Sequence, residues 1–387
     1  MKLIKKVYGK IRKIFCNIFK LFPIKKNRVY FISNQGEKYS CNPRAIFEYM
    51  YEHYKDKFEF VYIANNKEIQ SLLPKDIKTA KFRSIKERYY YHTSKVIVSN
   101  FRFSQEYTKR KKQYYIQTWH GSTIPYKMIE KDVEDNLTAK YVKMAKHDSK
   151  YIDMILVGST ACQKIFDRCF YCDHKTVVSG TPRTDKLINK NKDEIERIKK
   201  TLNISADDYV VLYAPTFRNN QSIKKSFLNN EKIKNALKKS TGKNVTILYR
   251  FHPNIAQEAQ KYYFEDYVKN VTDYYDIQDL IMIADIMITD FSSCAFDMMF
   301  AGKQALIYTN NAKQYAEQER GLYISLDELP FLVADTEDEL IKNIYDSTNY
   351  VNEYEIKSKK FIDSMGCNED GKASKRVAEY IISKTYR

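Results

Sequence analysis

The sequence predicts an α/β protein built from two halves, each with a parallel β-sheet covered by helices on both faces. Three observations lead to this prediction. Short apolar runs alternate with helical patterns along most of the 387 residues. A chain of this length is long enough for two hydrophobic cores. A charged, lysine-rich stretch at 189–200 separates a first alternation from a second, so we place the domain boundary near it.

The elements of each half are predicted from their periodicity. In the first half, strands are predicted at 29–33, 60–64, 96–99, 114–118, 155–157 and 177–179, and helices at 43–54, 85–93, 138–146 and 161–168. In the second half, strands are predicted at 209–213, 245–249, 286–289 and 305–308, and helices at 230–239, 277–284, 294–301 and 373–382. We therefore expect domains at 27–188 and 205–370, with 371–387 forming a helix that packs back on the first domain.

Residues 1–26 are predicted to hold a basic amphipathic helix that ends at Pro23, which cannot continue the hydrogen-bond ladder. Apolar residues recur there at helical spacing with lysines and arginines between them, and no acid precedes Glu37. This pattern is typical of helices that lie in an anionic membrane interface. The alternative is a helix docked on the protein's own core. The residues expected to contact the membrane are Lys5, Lys6, Arg12, Phe15 and Phe19.

The net charge of the chain limits the classes of molecule that we expect it to bind. Lysine and arginine number 66 against 48 acids, a net charge of +18, and such a field attracts nucleic acid, anionic lipid or phosphorylated substrates. No RNP, KH or helix-turn-helix pattern occurs, and the tyrosines are spread through the chain, so no nucleic-acid partner is expected. No apolar run reaches the ~18 residues that span a bilayer.

The seven cysteines are scattered and odd in number, which predicts a reducing compartment rather than a disulfide framework. Cys162, Cys169, Cys172 and His174 form a local cluster. We interpret it as buried thiols near a helix end. A zinc site is the alternative, disfavoured because the spacing lacks the second paired half of usual zinc motifs.

Polar and cationic residues follow the predicted strands, where ligands bind in open α/β sheets. In the first half, the residue of this kind that follows a predicted strand is His120. Histidine is a natural base for a hydroxyl nucleophile. Gly121 after it lets the backbone approach a ligand closely. Arginines and paired hydroxyls that open a helix suit an anionic ligand. In the second half these residues are Thr216, Arg218, Arg250, His252, Asp290, Ser292 and Ser293.

Several of these segments resemble the CDP-glycerol glycerophosphotransferase family, which contains the primases and polymerases of wall teichoic acid and relatives that build phosphate-linked capsules. The matching segments are QTWHGST (117–123), GTPRTD (180–185), YAPTFR (213–218), RFHP (250–253) and ITDFSSCAFD (288–297), with KYSCNPRAI (38–46) and RGLYISLDELP (320–330) outside them. The resemblance covers 27 to the C-terminus. Two features depart from the family: the Pro of the usual HGTP is displaced to Pro125, and Phe217 stands where Trp is common.

The resemblance implies a GT-B-like architecture, in which two Rossmann-like domains face each other across a cleft. It implies that an acceptor hydroxyl attacks the β-phosphorus of CDP-glycerol and releases CMP. His120 would then be the base, and His252 would bind or stabilise the transferring phosphate. The donor phosphates would be bound by Gly121, Ser122, Thr216, Arg218, Arg250, Ser292 and Ser293. The ribose or nucleotide would be contacted by Asp297 and Asp290.

The expected donor is CDP-glycerol or CDP-ribitol, and the expected acceptor is a lipid-linked or polymeric hydroxyl in teichoic acid or capsule synthesis. The sequence has no Asp-x-Asp, Walker or Gly-x-Gly-x-x-Gly motif, so no metal or other cofactor is expected. We expect a peripheral protein on the cytoplasmic face of the membrane. The alternatives are a GT-B glycosyltransferase that uses a nucleotide-sugar, and an inactive scaffold, against which the presence of both histidines argues.

Overall fold

The structure is a computed structural model that describes residues 17–121, 123–172, 175–216, 227–252, 255–262, 264–309 and 321–385. The chain divides into two compact units, each described by itself below. Unit 1 comprises Met1–Thr123, Ile129–Asp185 and Asn368–Arg387, and unit 2 comprises Ile124–Met128 and Lys186–Cys367. Among the described residues, no helix is both long and apolar enough to cross a membrane.

Strands and helices alternate through both units. The strands are β1 (Lys25–Ile32), β2 (Glu59–Ile63), β3 (Lys78–Ala80), β4 (Ser94–Ser99), β5 (Tyr114–Gln117), β6 (Met154–Val157), β7 (Thr176–Val178), β8 (Tyr209–Ala214), β9 (Val245–Tyr249), β10 (Val268–Asn270), β11 (Ile286–Thr289), β12 (Gln304–Tyr308) and β13 (Leu332–Ala334). The helices are α1 (Cys41–Tyr54), α2 (Lys67–Ser71), α3 (Ile85–Thr93), α4 (Ala139–Ser149), α5 (Thr160–Cys169), α6 (Asp185–Asn189), α7 (Lys192–Thr201), α8 (Asn230–Thr241), α9 (Ala256–Ala259), α10 (Ile277–Ile283), α11 (Cys294–Phe300), α12 (Glu337–Asp346), α13 (Val351–Met365) and α14 (Ala373–Thr385). Short 3₁₀ segments lie at Ile18–Leu21, Asn34–Gly36, Glu130–Asn136, Pro182–Thr184 and Leu326–Glu328.

Unit 1 is built on a seven-stranded parallel sheet in the order β3-β2-β1-β4-β5-β6-β7. In its centre Val29 lies opposite Phe60 on one side and Val96 on the other. These strands are continuous apolar runs because a parallel sheet is covered on both faces. The C-terminal helix α14 belongs to this unit and packs on α1 and β4. Its residues Val377 and Ile381 are buried in the same core.

Unit 2 is built on a six-stranded parallel sheet in the order β10-β9-β8-β11-β12-β13. Successive side chains of a strand point to opposite faces. Along β8, Val210 and Leu212 accordingly join one buried cluster, and Val211 and Tyr213 join the other. The α/β class with parallel sheets, predicted from the sequence, is confirmed.

Three of the four edge strands, β3, β10 and β13, were not predicted, and each is three residues long; the fourth, β7, was predicted at 177–179. A run that short contains too few residues to show a period of two. The sequence analysis also missed α12 and α13. The strand ends that carry the candidate site were not affected by these omissions.

The N-terminal segment was predicted to be helical up to Pro23. Residues 1–16 lie outside the described residues; Ile18–Leu21 is a 3₁₀ segment, and β1 begins at Lys25. Phe19 makes an edge-to-face contact with Tyr89 of α3, with ring centroids 6.4 Å apart. At this position the aromatic ring therefore packs on the protein's own helix.

Candidate active site

The first candidate residue, His120, follows a strained turn at the end of β5. Trp119 has φ +50°, a left-handed conformation that is uncommon for a bulky residue. The conformation is stabilised because the Trp119 N–H donates to Oε1 of Gln117 (3.0 Å) and its ring packs edge-to-face on Phe170 (5.0 Å). The turn leaves the imidazole of His120 exposed just beyond the carboxyl end of the strand.

The imidazole of His120 is oriented by two contacts. Its Nδ1 lies 3.1 Å from the carbonyl oxygen of Asn100, which follows the neighbouring strand β4. Its ring stacks on Trp119, with centroids 4.6 Å apart. When Nδ1–H donates to that carbonyl, Nε2 carries the lone pair. This tautomer is the one that a general base needs.

Two buried side chains hold the backbone of this loop. Nδ2 of Asn42, near the start of α1, donates to the carbonyls of Thr118 (3.0 Å) and Trp119 (3.3 Å). Its Oδ1 accepts from the N–H of Arg183 (3.1 Å), and the Arg183 guanidinium donates to the carbonyl of His120. The sequence analysis did not identify either residue. Their only signal was that both lie within segments that resemble the family.

A half-buried residue, Glu369, accepts hydrogen bonds from the end of this loop and from the segment after β7. Its Oε1 accepts from the Thr123 hydroxyl (3.0 Å) and the Thr181 N–H (2.9 Å), and its Oε2 is hydrogen-bonded to the Thr184 hydroxyl. Burial raises the pKa of Glu369 to about 7, although the hydrogen bonds oppose the shift. No sequence motif pointed to this residue.

In unit 2, the ends of β8 and β11 are joined by Asp290. The Thr216 N–H donates to one carboxylate oxygen of Asp290 (2.9 Å) and the Thr216 hydroxyl donates to the other (2.7 Å). Asp290 is buried. Both of its oxygens thus accept from Thr216, so Asp290 holds the backbone and the hydroxyl of Thr216 in place.

The end of β9 carries two further candidates, Arg250 and His252. Nη1 of Arg250 donates to the carbonyl of Tyr274 (2.8 Å), and burial lowers the pKa of the guanidinium. The side chain of His252 is exposed. Between them Phe251 is buried, and its N–H donates to the Thr272 hydroxyl (3.1 Å), which fixes the backbone that presents His252.

The serines lie at the start of α11. Ser292 Oγ accepts from the Cys294 N–H (3.3 Å), and Ser293 is the N-cap residue; both side chains are half-buried. Asp297 is 1% exposed and accepts from Nε2 of Gln278 (3.0 Å). This placement weighs against the predicted ribose contact, because the carboxylate is buried and bonded to α10.

The predicted site residues are thus divided between the two units. His120 and Gly121 lie in unit 1, and a second group lies at the strand ends of unit 2: Thr216, Arg250, His252, Asp290, Ser292, Ser293 and Asp297. Several predicted residues lie outside the described residues: Lys5, Lys6, Arg12, Phe15, Ser122 and Arg218.

The cysteine cluster consists of buried thiols around the end of α5. Cys162, Cys169 and Cys172 are all buried, and burial raises the pKa of Cys169 to about 12. A raised thiol pKa disfavours the thiolate that binds a metal. No group of three or more possible metal ligands occurs among the described residues, which do not include His174.

The chain matches known proteins over nearly its whole length. The family model for CDP-Glycerol:Poly(glycerophosphate) glycerophosphotransferase matches residues 14–383. The chain is similar to the teichoic acid poly(glycerol phosphate) polymerase of Bacillus spizizenii, with 29% identity over 98% of this chain and 99% of the relative. It is also similar to the teichoic acid glycerol-phosphate transferase of Staphylococcus aureus, with 31% identity over 92% of this chain and 93% of the relative.

A solved structure of the wall teichoic acid polymerase TagF with CDPG superposes with a TM-score of 0.84 and 25% identity, over 99% of this chain and 96% of that chain. The predicted GT-B-like fold is thereby confirmed. The predicted resemblance and the transferase class are confirmed as well. The chain belongs to the CDP-glycerol:poly(glycerophosphate) glycerophosphotransferase family.

Proposed function

We propose that the chain transfers glycerol-phosphate or ribitol-phosphate from a CDP-activated donor to a hydroxyl of a lipid-linked or polymeric acceptor. CMP is the leaving group, and the product belongs to teichoic acid or capsule-type polymer synthesis. The observation that carries the proposal is the family match over 14–383, together with the exposed His120 at the end of β5.

His120 is proposed as the general base. The Asn100 carbonyl at Nδ1 leaves Nε2 to take up the proton of the acceptor hydroxyl. The hydroxyl oxygen then forms a bond to the β-phosphorus, and the bond from that phosphorus to the CMP oxygen breaks. The bonding electron pair leaves with CMP.

The reaction also requires that the negative charge on the transferring phosphoryl group be stabilised. Phosphoryl transfer depends on positioning and electrostatic stabilisation more than on covalent chemistry. We assign this part to His252, whose side chain is exposed at the end of β9. The hydroxyls of Ser292 and Ser293 and the residues Gly121, Ser122, Thr216, Arg218 and Arg250 complete the proposed donor-binding set.

The test is a donor comparison. Purified protein is incubated with membrane extract and CDP-glycerol, CDP-ribitol or UDP-sugars, and the released nucleotide is identified. We expect CMP from at least one CDP-polyol and no UDP from the sugars. Release of UDP, with no CMP from either CDP-polyol, would assign the chain to the nucleotide-sugar glycosyltransferases instead.

A peripheral position on the cytoplasmic face of the membrane is part of the proposal. Leu21 is 83% exposed, and Ile18 and Phe22 are also exposed on the same short segment. The segment is tied to unit 1 because Lys20 Nζ donates to the Thr108 hydroxyl (2.7 Å). Exposed apolar side chains beside a strongly basic chain suit an anionic bilayer surface.

A further inference from the structure

A cavity of about 640 Å³ opens in unit 1 between α4 and the 3₁₀ segment Glu130–Asn136. It shares no lining residue with the strand-end sites described above. Its charged lining consists of Glu134, Asp135, Lys143, Lys146, His147 and Lys150. We call it the α4 pocket.

The basic residues of the α4 pocket lie on one face of the helix. Lys143, Lys146, His147 and Lys150 follow the spacing i, i+3, i+4 and i+7, which places them in one row. With a rise of 1.5 Å per residue, the two ends of the row are roughly 10 Å apart along the helix axis. An anionic chain that carries several phosphates can contact both ends of the row at once.

The cations at the two ends of the row are available to a ligand. Lys146 Nζ forms an ion pair with Glu134 (2.8 Å). Within the ranges of the chain that the structure describes, neither Lys143 nor Lys150 uses its Nζ in a hydrogen bond or an ion pair. Both side chains are exposed, so no folding interaction explains their position at the pocket.

The same pocket offers acceptors beside these donors. The carboxylate of Glu134 accepts from the Tyr171 hydroxyl (2.6 Å), which fixes it in the wall. Asp135 is exposed next to it. Carboxylates repel a uniformly anionic bilayer but accept hydrogen bonds from hydroxyl groups. The α4 pocket therefore presents ammonium groups, which suit phosphates, and carboxylate groups, which suit the hydroxyls of a polyol.

We propose that the α4 pocket binds the phosphodiester-linked polyol chain of the acceptor, with Lys143 and Lys150 on separate phosphates. The inference rests on the proposed function, because it names the acceptor of that reaction. The site retains a chain that already carries several repeats and contributes little to a short acceptor. The KM for a long acceptor is then lower than the KM for a short one.

The test compares the charge-reversal variant Lys143→Glu/Lys150→Glu with wild type. Binding of fluorescently labelled poly(glycerol phosphate) of about ten repeats is measured by anisotropy at several salt concentrations, without donor. We expect the variant to bind at least about tenfold more weakly and with a shallower salt dependence, since two attractive pairs become repulsive. In CMP-release assays its KM should rise for the long acceptor, while kcat and the KM for CDP-glycerol stay unchanged.

The matched control is Lys359→Glu/Lys360→Glu, which makes the same charge change on exposed lysines of α13 in unit 2. The control should bind the polymer like wild type. Equal polymer binding by both variants and wild type would overturn the inference. So would a Lys143→Glu/Lys150→Glu protein that keeps polymer binding but no longer sediments with phosphatidylglycerol vesicles, which would assign the pocket to lipid. The absence of CMP release from wild type would count against the proposed function and leave the binding result intact.

Discussion

At the scale of single residues, His120 shows how a neighbouring strand determines which ring nitrogen can accept a proton. The carbonyl of Asn100 lies 3.1 Å from Nδ1, and the ring is stacked on Trp119. The two contacting groups, the Asn100 carbonyl and the Trp119 ring, belong to residues that follow β4 and β5. A backbone carbonyl therefore lies at Nδ1 of His120, in the position that a carboxylate takes in hydrolytic triads.

We predict that His120→Ala lowers the rate of CMP release about 10²–10⁴-fold, the usual contribution of general base catalysis. Binding of CDP-glycerol, measured by calorimetry, should change little because the backbone of the loop is held by Asn42 and Arg183. His53→Ala is the control, since this exposed histidine of α1 also has Nδ1 beside a backbone carbonyl (Tyr49, 2.9 Å). Near-normal turnover in His120→Ala would remove it as the base.

At the scale of elements, Glu369 joins the segment before α14 to the loop after β5. The Thr184 hydroxyl lies within hydrogen-bond distance of both the Thr181 carbonyl (2.7 Å) and Glu369, yet it has one proton to donate. A protonated carboxyl completes the second bond by donating to Thr184 Oγ. The raised pKa of Glu369 agrees with this arrangement, because a buried neutral carboxyl is less costly than a buried charge.

The pH dependence of stability follows from that pKa. Burial raises it from 4.5 to about 7, so between these values the folded protein holds a proton that the unfolded chain releases. The contribution of this bound proton to the free energy of unfolding is fully present below pH 4.5. It is lost as the pH rises through 7, which lowers the free energy of unfolding by about 3 kcal/mol. We expect Glu369→Gln, which keeps a donor for Thr184, to reduce the fall in unfolding free energy between pH 5 and 8 measured in urea.

The variant must be compared with wild type at each pH, because burial also raises the pKa of Glu87 and of Asp148 to about 7. Asp370→Asn is the neighbouring control. The Arg376 hydrogen bond lowers the pKa of Asp370, so this group is ionised in both states above pH 5 and should not alter the slope. An unchanged pH slope in Glu369→Gln would contradict the protonated carboxyl.

At the scale of the whole molecule, charge and exposed apolar surface bear on membrane association. The chain carries a net charge of +18. The segment at Ile18–Leu21 contacts α3 and still exposes Leu21. The positive field brings the protein to an anionic surface, and apolar side chains give the attachment that salt does not screen.

We predict that deletion of residues 1–16 reduces co-sedimentation with phosphatidylglycerol vesicles several-fold in 0.15 M salt, where screening leaves roughly 8 Å of electrostatic reach. Deletion of residues 1–22 should also lower the melting temperature, because it uncovers the ring of Tyr89. Neutral phosphatidylcholine vesicles are the control and should bind neither form. Equal sedimentation of the 1–16 deletion and the full chain would exclude the N-terminal segment as the anchor.

The sequence by itself determined the fold class, the positions of the central strands along the chain and the family. Those features are local: a buried parallel strand is a continuous apolar run, and the residue after it, such as His120 or Arg250, can be read directly. The bounds of β9 at Val245–Tyr249 were predicted correctly for this reason. Three edge strands, β3, β10 and β13, were missed because a run of three residues gives only a weak pattern.

Only the tertiary structure decided what surrounds those residues. The hydrogen bond from Thr123 to Glu369 spans 246 positions, and the bond from Arg183 to Asn42 spans 141. The tertiary structure also showed that Asp290 is a hydrogen-bond partner of Thr216 and that Asp297 is one of Gln278. Burial and hydrogen-bond partners depend on which distant segments meet, and no local pattern of residues encodes that meeting.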